Sequence, residues 1–258
     1  MGKSGNRLVI FKQFTVRDDR CAMKVGTDAL LLGSWARVDG CKAILDAGTG
    51  SGIVGLMAAQ RAPLAHLTGV EIEPNAANQA AENAQSSPFH SRVSIVNSSL
   101  QEWVDREGEA RRFDVVLSNP PFFHGKPKSP ILERNLARHD DTLSVEDLVR
   151  SAAALLRVGG ALQTVYPMDR WEALKSECLA QGFECMEVVW VRGIAGRPVT
   201  RVLSHWQLNA ETQNLNHVNY RPFKLQESEL AIESGTRTDG KPTLSPSYVR
   251  LLAPYIDL

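Results

Sequence analysis

The sequence lacks a net charge, because its 29 Lys and Arg residues balance its 29 Asp and Glu residues. A positive field over the whole chain is therefore absent, and any contact with a polyanion has to use a local patch. Cysteine is scarce, and Cys21, Cys41, Cys178 and Cys185 form no CxxC pair and have no His cluster beside them. This spacing argues against a metal site and predicts free thiols in a reducing compartment.

Long apolar runs are also missing. No window approaches the length of a membrane span, and the N-terminal stretch lacks the apolar core of a signal peptide. We therefore expect a cytoplasmic protein without membrane contact. With 43% hydrophobic residues in 258 positions, the chain can bury the core of one large α/β domain or of two small ones.

Short apolar runs alternate with helical stretches from residue 42 to residue 181. This alternation predicts parallel βαβ units with right-handed crossovers. Two β-rich runs at 184–191 and 199–206 predict an antiparallel hairpin that closes the sheet. We expect an α/β, Rossmann-like fold whose seven-stranded sheet is mostly parallel. The expected organisation is an N-terminal segment at 1–40, the main domain at 41–208, and a C-terminal extension at 209–258 with irregular structure and a short helix.

A glycine-rich turn follows the first strand of this alternation. Gly48, Gly50 and Gly52 permit tight backbone dihedrals and the close approach of a ligand at a helix start. Glu71 ends the next strand, at the spacing where a carboxylate accepts hydrogen bonds from ribose hydroxyls. Asp46 precedes the turn, where it would repel a pyrophosphate and attract the sulfonium and amino groups of S-adenosylmethionine. The turn therefore favours S-adenosylmethionine over NAD as the cofactor.

The adenine ring of that cofactor is expected at the end of the third strand. Ser99 can donate or accept one hydrogen bond there. Leu100 and Ile72 are apolar neighbours that can enclose the ring.

A second motif, Asn119-Pro120-Pro121-Phe122, follows the fourth strand. The amine of an aromatic ring is a poor nucleophile because its lone pair is delocalised. The Asn119 side-chain oxygen and the Pro120 carbonyl can accept its two hydrogens and turn the lone pair towards a methyl donor. Phe122 offers a face for stacking of the base, worth about 1–3 kcal/mol. Positioning and electrostatics then supply most of the rate acceleration.

Together these motifs resemble those of the class I amino-methyltransferases. The stretch MKVGTDALLLG at residues 23–33 and the Arg138-His139 pair narrow the resemblance to the bacterial tRNA (adenine-N6)-methyltransferases that act on adenine 37 of valine tRNA. It spans about residues 8–208 and implies a class I methyltransferase fold, S-adenosylmethionine as cofactor and N6-methylation of a tRNA. In that family the N-terminal segment closes over the cofactor. The resemblance therefore implies that Lys24, Gly26, Thr27 and Asp28 of this segment contact the cofactor. Asn119 of the second motif is expected to contact it as well.

This sequence departs from the family at Ser99, where such enzymes usually carry Asp. The departure implies a weaker hold on the adenine ring.

RNA contacts are expected around the second motif and in the closing hairpin. Phe123 and His124 can stack near a flipped base, and nearby basic residues can meet the phosphate backbone. We expect a monomer with a tRNA substrate and no metal. The predicted substrate-binding residues are Pro121, Phe123, His124, Arg138, Arg192, Arg197 and Arg201.

Three alternatives remain at this stage. The first is methylation of another amine or amide: adenine or guanine of rRNA, adenine of DNA, or protein glutamine. Enzymes that methylate protein glutamine usually carry an extra N-terminal helical domain. Only the segment at 1–40 is expected before the main domain here, which argues against protein glutamine as the substrate. The second is an NAD-dependent oxidoreductase, which Asp46 and the GxGxG spacing disfavour. The third is a catalytically silent cofactor-binding module, which the intact Asn119–Phe122 motif disfavours.

Overall fold

The computed structural model describes residues 8–107, 113–120, 143–209, 224–236 and 241–257. The strands in these ranges are β1 (Leu8–Ile10), β2 (Thr15–Arg17), β3 (Ala43–Ala47), β4 (His66–Glu71), β5 (Val93–Asn97), β6 (Phe113–Ser118), β7 (Leu156–Pro167), β8 (Phe183–Ile194), β9 (Val199–Leu208), β10 (Gln226–Thr236) and β11 (Pro242–Leu244). The α-helices are α1 (Thr27–Trp35), α2 (Ile53–Arg61), α3 (Pro74–Gln85), α4 (Leu100–Glu107), α5 (Val145–Leu155), α6 (Trp171–Ala180) and α7 (Pro246–Leu252). No helix in the described ranges has both the length and the apolar character that crossing a membrane requires.

Strands β3 to β11 form one sheet in the order β11-β10-β8-β9-β7-β6-β3-β4-β5. The neighbours from β5 to β7 are parallel, whereas β9 is antiparallel to both β7 and β8. The predicted α/β fold with a closing antiparallel hairpin is confirmed. Strands β1 and β2 form a separate hairpin.

The predicted count of seven strands is wrong, because the described residues alone contribute nine strands to the sheet. The seven expected strands are present, and the C-terminal segment adds two more at the β8 edge: β10 pairs parallel with β8, and β11 antiparallel with β10. Strand β10 reads QESELAIESGT, and Leu230 is its one buried residue. Such a polar edge strand lacks the apolar run or the clean alternation by which a strand is recognised.

Helices cover both faces of the sheet, so most central strands are buried on both sides. In β3, Ile44 packs into the core shared with α1 and α2, while Leu45 packs into the core shared with α5 and α6. Val115 and Val116 of β6 divide in the same way. Successive side chains of a strand point to opposite faces, which explains the continuous apolar runs in the sequence.

The C-terminal segment completes the first of these cores. Tyr248, Leu252 and Tyr255 are buried in it. The Tyr255 hydroxyl donates hydrogen bonds towards the carbonyls of Gly33 in α1 and Met57 in α2, at 3.3 and 3.2 Å. Tyr255 thus ties α1 and α2 together.

Candidate active site

Three neighbouring strands end at the same edge of the sheet. Asp46 of β3 is level with Leu117 of β6, and Ala47 of β3 is level with Val70 of β4. The Ser118 hydroxyl donates to the Ala47 carbonyl at 2.8 Å and ties the ends of β6 and β3 together. The residues that follow these strands, namely the glycine turn, Glu71 at the end of β4 and Asn119, are therefore neighbours, as ligand sites in open α/β sheets require.

The glycine turn has a backbone that other residues rarely adopt. Gly48, Gly50 and Gly52 have φ angles of 71°, 56° and 83°. A Cβ atom added at Gly48 or Gly50 would meet no atom within 4 Å, whereas one at Gly52 would contact Ala80. The first two glycines thus leave an open cradle above the turn where a ligand can approach the backbone. A cofactor such as S-adenosylmethionine could therefore lie against the backbone of Gly48 and Gly50.

Asp46 lies beneath the turn and is fully buried. Its Oδ2 atom accepts hydrogen bonds from the Thr49 hydroxyl at 2.6 Å and from the Gly55 backbone N–H at 3.0 Å. Burial raises the pKa of Asp46 to about 6, and the charge of Glu71 adds to the rise. The carboxylate holds the turn in shape, and no cation among the described side chains pairs with it.

Glu71 faces the turn from the neighbouring strand. Its Oε2 atom accepts the Gly50 N–H at 2.8 Å, and its Oε1 atom accepts the Glu73 N–H at 3.0 Å. Each carboxylate oxygen retains acceptor capacity beyond one bond. The side chain is therefore fixed in place with room to accept two ribose hydroxyls.

The residues predicted around the adenine ring lie beyond β5. The Ser99 hydroxyl accepts the Glu102 N–H at 3.2 Å and so caps α4. Leu100 is buried and Ile72 is exposed. Asn97 donates from its side-chain amide to the Glu71 and Ile72 carbonyls at 2.8 and 3.0 Å, which fixes the segment after β4.

The N-terminal segment carries the other predicted cofactor contacts. The Lys24 ammonium donates to the carbonyls of Asp18 at 2.8 Å, Asp19 at 3.2 Å and Cys21 at 2.8 Å, so it staples the turn before α1. Gly26 is the N-cap of α1, which has no side-chain cap, and Thr27 is its first residue.

Two buried amides that sequence reasoning missed hold this segment in place. Asn83 of α3 accepts the Arg17 N–H at 2.9 Å and donates to the carbonyls of Arg17 and Ser51, both at 2.8 Å. Gln79, one turn earlier, accepts the Arg20 N–H at 2.8 Å. Asn83 therefore joins the N-terminal segment directly to the glycine turn. The sequence feature that could have indicated these contacts is the spacing of Gln79 and Asn83, two amide side chains at i and i+4 on the Ala-rich face of a helix.

Asn119 follows β6 and carries an unsatisfied atom. Its Oδ1 is buried and accepts no hydrogen bond from any described residue. Buried acceptors are nearly always satisfied, so this oxygen is available to a donor from outside the described residues, such as a ligand. Pro120 is buried beside it. Five further predicted site residues lie outside the described residues: Pro121, Phe122, Phe123, His124 and Arg138.

The predicted RNA-contacting arginines of the β8–β9 hairpin differ in their partners. Arg192 forms a two-pronged pair with Glu229, at 2.8 and 3.3 Å. Arg201 pairs with Asp28, which was expected in the cofactor pocket, at 2.9 Å. Arg197 is exposed and has no carboxylate partner in the described part of the chain.

The four cysteine thiols have neither the geometry nor the pKa of reactive groups. The four cysteines are free, and burial raises the pKa of each, to about 11 for Cys21 and about 12 for Cys185. They are therefore protonated and weakly nucleophilic near neutral pH. Across the described ranges, no group of three or more His, Cys, Asp or Glu side chains is arranged to hold a metal ion.

Comparisons with known proteins agree with this geometry. The family model of the methyltransferase small domain matches residues 22–192. A tRNA1(Val) (adenine(37)-N6)-methyltransferase of Trichodesmium erythraeum is 36% identical over 247 residues, which cover 95% of each protein. The enzyme of the same name from Parabacteroides distasonis is 42% identical over 193 residues, 75% of this chain and 80% of that protein. Among solved structures, one described as a predicted O-methyltransferase of Agrobacterium tumefaciens aligns with a TM-score of 0.64 at 20% identity, covering 88% of this chain and 96% of that one.

Proposed function

Because the chain belongs to the methyltransferase small domain family, we propose that it methylates N6 of adenine 37 in valine tRNA with S-adenosylmethionine. Relatives named tRNA1(Val) (adenine(37)-N6)-methyltransferase match almost the whole chain, in one case at 36% identity over 95% of both proteins. The single observation that carries the chemistry is the buried Oδ1 of Asn119, which accepts no hydrogen bond from the described residues and lies at the edge where the glycine turn lies. The proposal includes a monomeric enzyme acting in the cytoplasm, where tRNA is modified.

The cofactor site is assigned to the turn and the strands around it. Gly48 and Gly50 leave the backbone open to a ligand, and Glu71 is oriented to accept the ribose hydroxyls. Asp46 contributes negative charge beneath the turn and attracts a cationic ligand. When bound, S-adenosylmethionine supplies an electrophilic methyl group on a positively charged sulfur.

Further cofactor contacts are proposed on either side of the turn. Ser99, Leu100 and Ile72 are assigned to the adenine ring. The backbone of Lys24 and the residues Gly26, Thr27 and Asp28 are assigned to the segment that covers the cofactor. Lys24 acts there through the turn that it staples, because its ammonium is occupied by three carbonyls.

Asn119 and Pro120 are assigned to the target amine. The amine donates one hydrogen to Asn119 Oδ1 and the other to the Pro120 carbonyl, which favours a tetrahedral nitrogen whose lone pair is free to attack. The methylated nitrogen then loses a proton readily, so no strong base is needed. Phe122 is assigned to stacking on the base, which has to leave its own stack to reach the site.

Basic residues near this edge of the sheet are assigned to contacts with the RNA backbone. Arg197 is the strongest candidate in the hairpin, because Arg192 and Arg201 already have carboxylate partners. Arg138 is assigned to the same role from the sequence.

Asn119→Ala tests the catalytic assignment. Removing a preorganised hydrogen-bonding group from an active site typically lowers kcat by about 10²–10³-fold, and we expect a loss of that size here. Because Oδ1 has no described partner, its removal should not lower the free energy of unfolding. Affinity for S-adenosylhomocysteine should stay within about threefold of wild type, a change below about 0.7 kcal/mol.

The matched control is Asn75→Ala on the exposed surface of α3, which should leave kcat unchanged. An Asn119→Ala variant that turns over at the wild-type rate would remove Asn119 from the mechanism.

A further inference from the structure

The ion pair between Arg201 and Asp28 joins the sheet to the start of α1. Arg201 donates from Nε to Asp28 Oδ2 at 2.9 Å, and from Nη1 to the carbonyl of its neighbour Thr200, also at 2.9 Å. The two side chains are 31% and 26% exposed, so the pair is partly buried. The guanidinium is thus held at two points, and the contact joins positions 173 residues apart in the chain.

This pair lies at the edge of the sheet where the proposed active site is. Arg201 of β9 is level with Pro167, the last residue of β7. Thr164 of β7 is in turn level with Ser118, the residue before Asn119. Asp28 is therefore held at the carboxyl edge of the parallel strands, two strands from the residue assigned to the target amine.

The body of α1 does not depend on Arg201 for its position. Leu31 and Leu32 are fully buried, and Asp28 lies in the first turn of the helix, where a negative charge is favourable without a partner. The first turn itself is less secure, because the N-cap Gly26 supplies no side-chain hydrogen bond. The contact with Arg201 anchors that turn, together with the side-chain hydrogen bond between Thr27 and Tyr248.

We propose that Arg201 is a positioning residue that acts through Asp28 and fixes the Gly26–Asp28 segment against the bound cofactor. The inference rests on the proposed function, which assigns that segment to the cofactor. It gives Arg201 a different role from the phosphate contact that the sequence suggested. Its consequence is that substitution of Arg201 weakens cofactor binding in the absence of RNA.

The test measures binding of S-adenosylhomocysteine by calorimetry, without RNA. Arg201→Gln should weaken binding by about five- to tenfold, as expected when one charge-assisted hydrogen bond in a partly buried site is lost. Arg201→Lys keeps the charge but not the two-point geometry, and should bind more tightly than Arg201→Gln. Hydrogen exchange should accelerate at the Leu30 amide in Arg201→Gln, because this amide donates to the Gly26 carbonyl at 3.2 Å and the first turn is released.

Two further variants separate a specific role from a general one. Arg37→Gln removes a similar ion pair, with Glu187 at 2.9 Å, just beyond the other end of α1, and should leave both readouts unchanged. The double variant Asp28→Asn with Arg201→Gln should bind no more weakly than Asp28→Asn alone, because Arg201 acts through Asp28.

The proposal is overturned if Arg201→Gln binds S-adenosylhomocysteine with wild-type affinity and instead raises KM for RNA with a flatter salt dependence. Additive losses in the double variant would overturn it as well. The assay contains no RNA, so a wrong tRNA assignment leaves it intact. A wild-type protein that binds no S-adenosylhomocysteine would refute the proposed function, and this inference with it.

Discussion

The wild-type protein should lose part of its free energy of unfolding as the pH rises from about 4 to 7. Asp46→Asn should remove this loss. Burial raises the pKa of Asp46 from 3.8 to about 6 in the folded state, so the folded protein holds this proton more tightly than the unfolded chain does. The stabilisation from the protonated carboxyl is complete below about pH 4 and is lost as the pH rises through 6. A pKa difference of roughly two units corresponds to about 3 kcal/mol.

Asparagine is neutral throughout this range, so the variant should gain about 3 kcal/mol relative to wild type between pH 4 and pH 7. Urea unfolding at several pH values measures this difference. Thr49→Val provides a second check, since its hydroxyl donates to Asp46 and lowers the pKa of that carboxyl. Losing the hydroxyl should move the pH window above 6. If the Asn variant and wild type differ by the same free energy at pH 4 and pH 7, the reasoning is refuted.

The same substitution should cost cofactor affinity. The buried carboxylate has no described cation beside it, so a positively charged ligand would favour its ionised form. Binding of S-adenosylmethionine near pH 6 should therefore release a proton, visible by calorimetry in buffers of different ionisation enthalpy. Asp46→Asn should abolish this release and weaken binding at pH 7 by about tenfold or more, equivalent to at least about 1.4 kcal/mol.

Three further substitutions test other parts of the account. Arg197→Gln should raise KM for tRNA and reduce the slope of log KM against log salt concentration by about one. Lys241→Gln removes the same charge from another exposed position and serves as the control. Equal effects of the two substitutions would argue against a specific contact by Arg197. Ser99→Asp should keep the hydrogen bond from the Glu102 N–H and tighten cofactor binding, since a carboxylate accepts more strongly from the adenine amine; weaker binding in titration would show that the ring lies elsewhere. Tyr255→Phe should lower the free energy of unfolding by about 1 kcal/mol, because its hydroxyl serves two buried carbonyls, and an unchanged urea midpoint would contradict this.

The sequence was informative where local chemistry decides the structure. The spacing of Gly48, Gly50 and Gly52 predicted a tight turn, and all three have positive φ. A Ser followed three residues later by an acidic residue is typical of a helix N-terminus, and Ser144 accepts the Asp147 N–H at the start of α5. Both features depend on neighbouring residues alone, so no knowledge of the tertiary structure was required.

Long-range contacts were beyond this kind of reasoning. Asp28, which the resemblance assigned to the cofactor pocket, is paired with Arg201, 173 residues further along the chain. The local contacts of Lys24 were not predicted either: its ammonium donates to the carbonyls of Asp18, Asp19 and Cys21. A charged side chain has several possible partners at similar cost, and only the packed fold selects among them.

The most direct measurement is methylation of valine tRNA by the purified protein, read out by mass spectrometry of its nucleosides. One transcript carries adenine at position 37, and a second carries guanine there. With S-adenosylmethionine, we expect N6-methyladenosine in the first transcript and no methylation of the second. Equal methylation of both transcripts, or methylation of rRNA, DNA or protein glutamine with the tRNA left unmodified, would contradict the account.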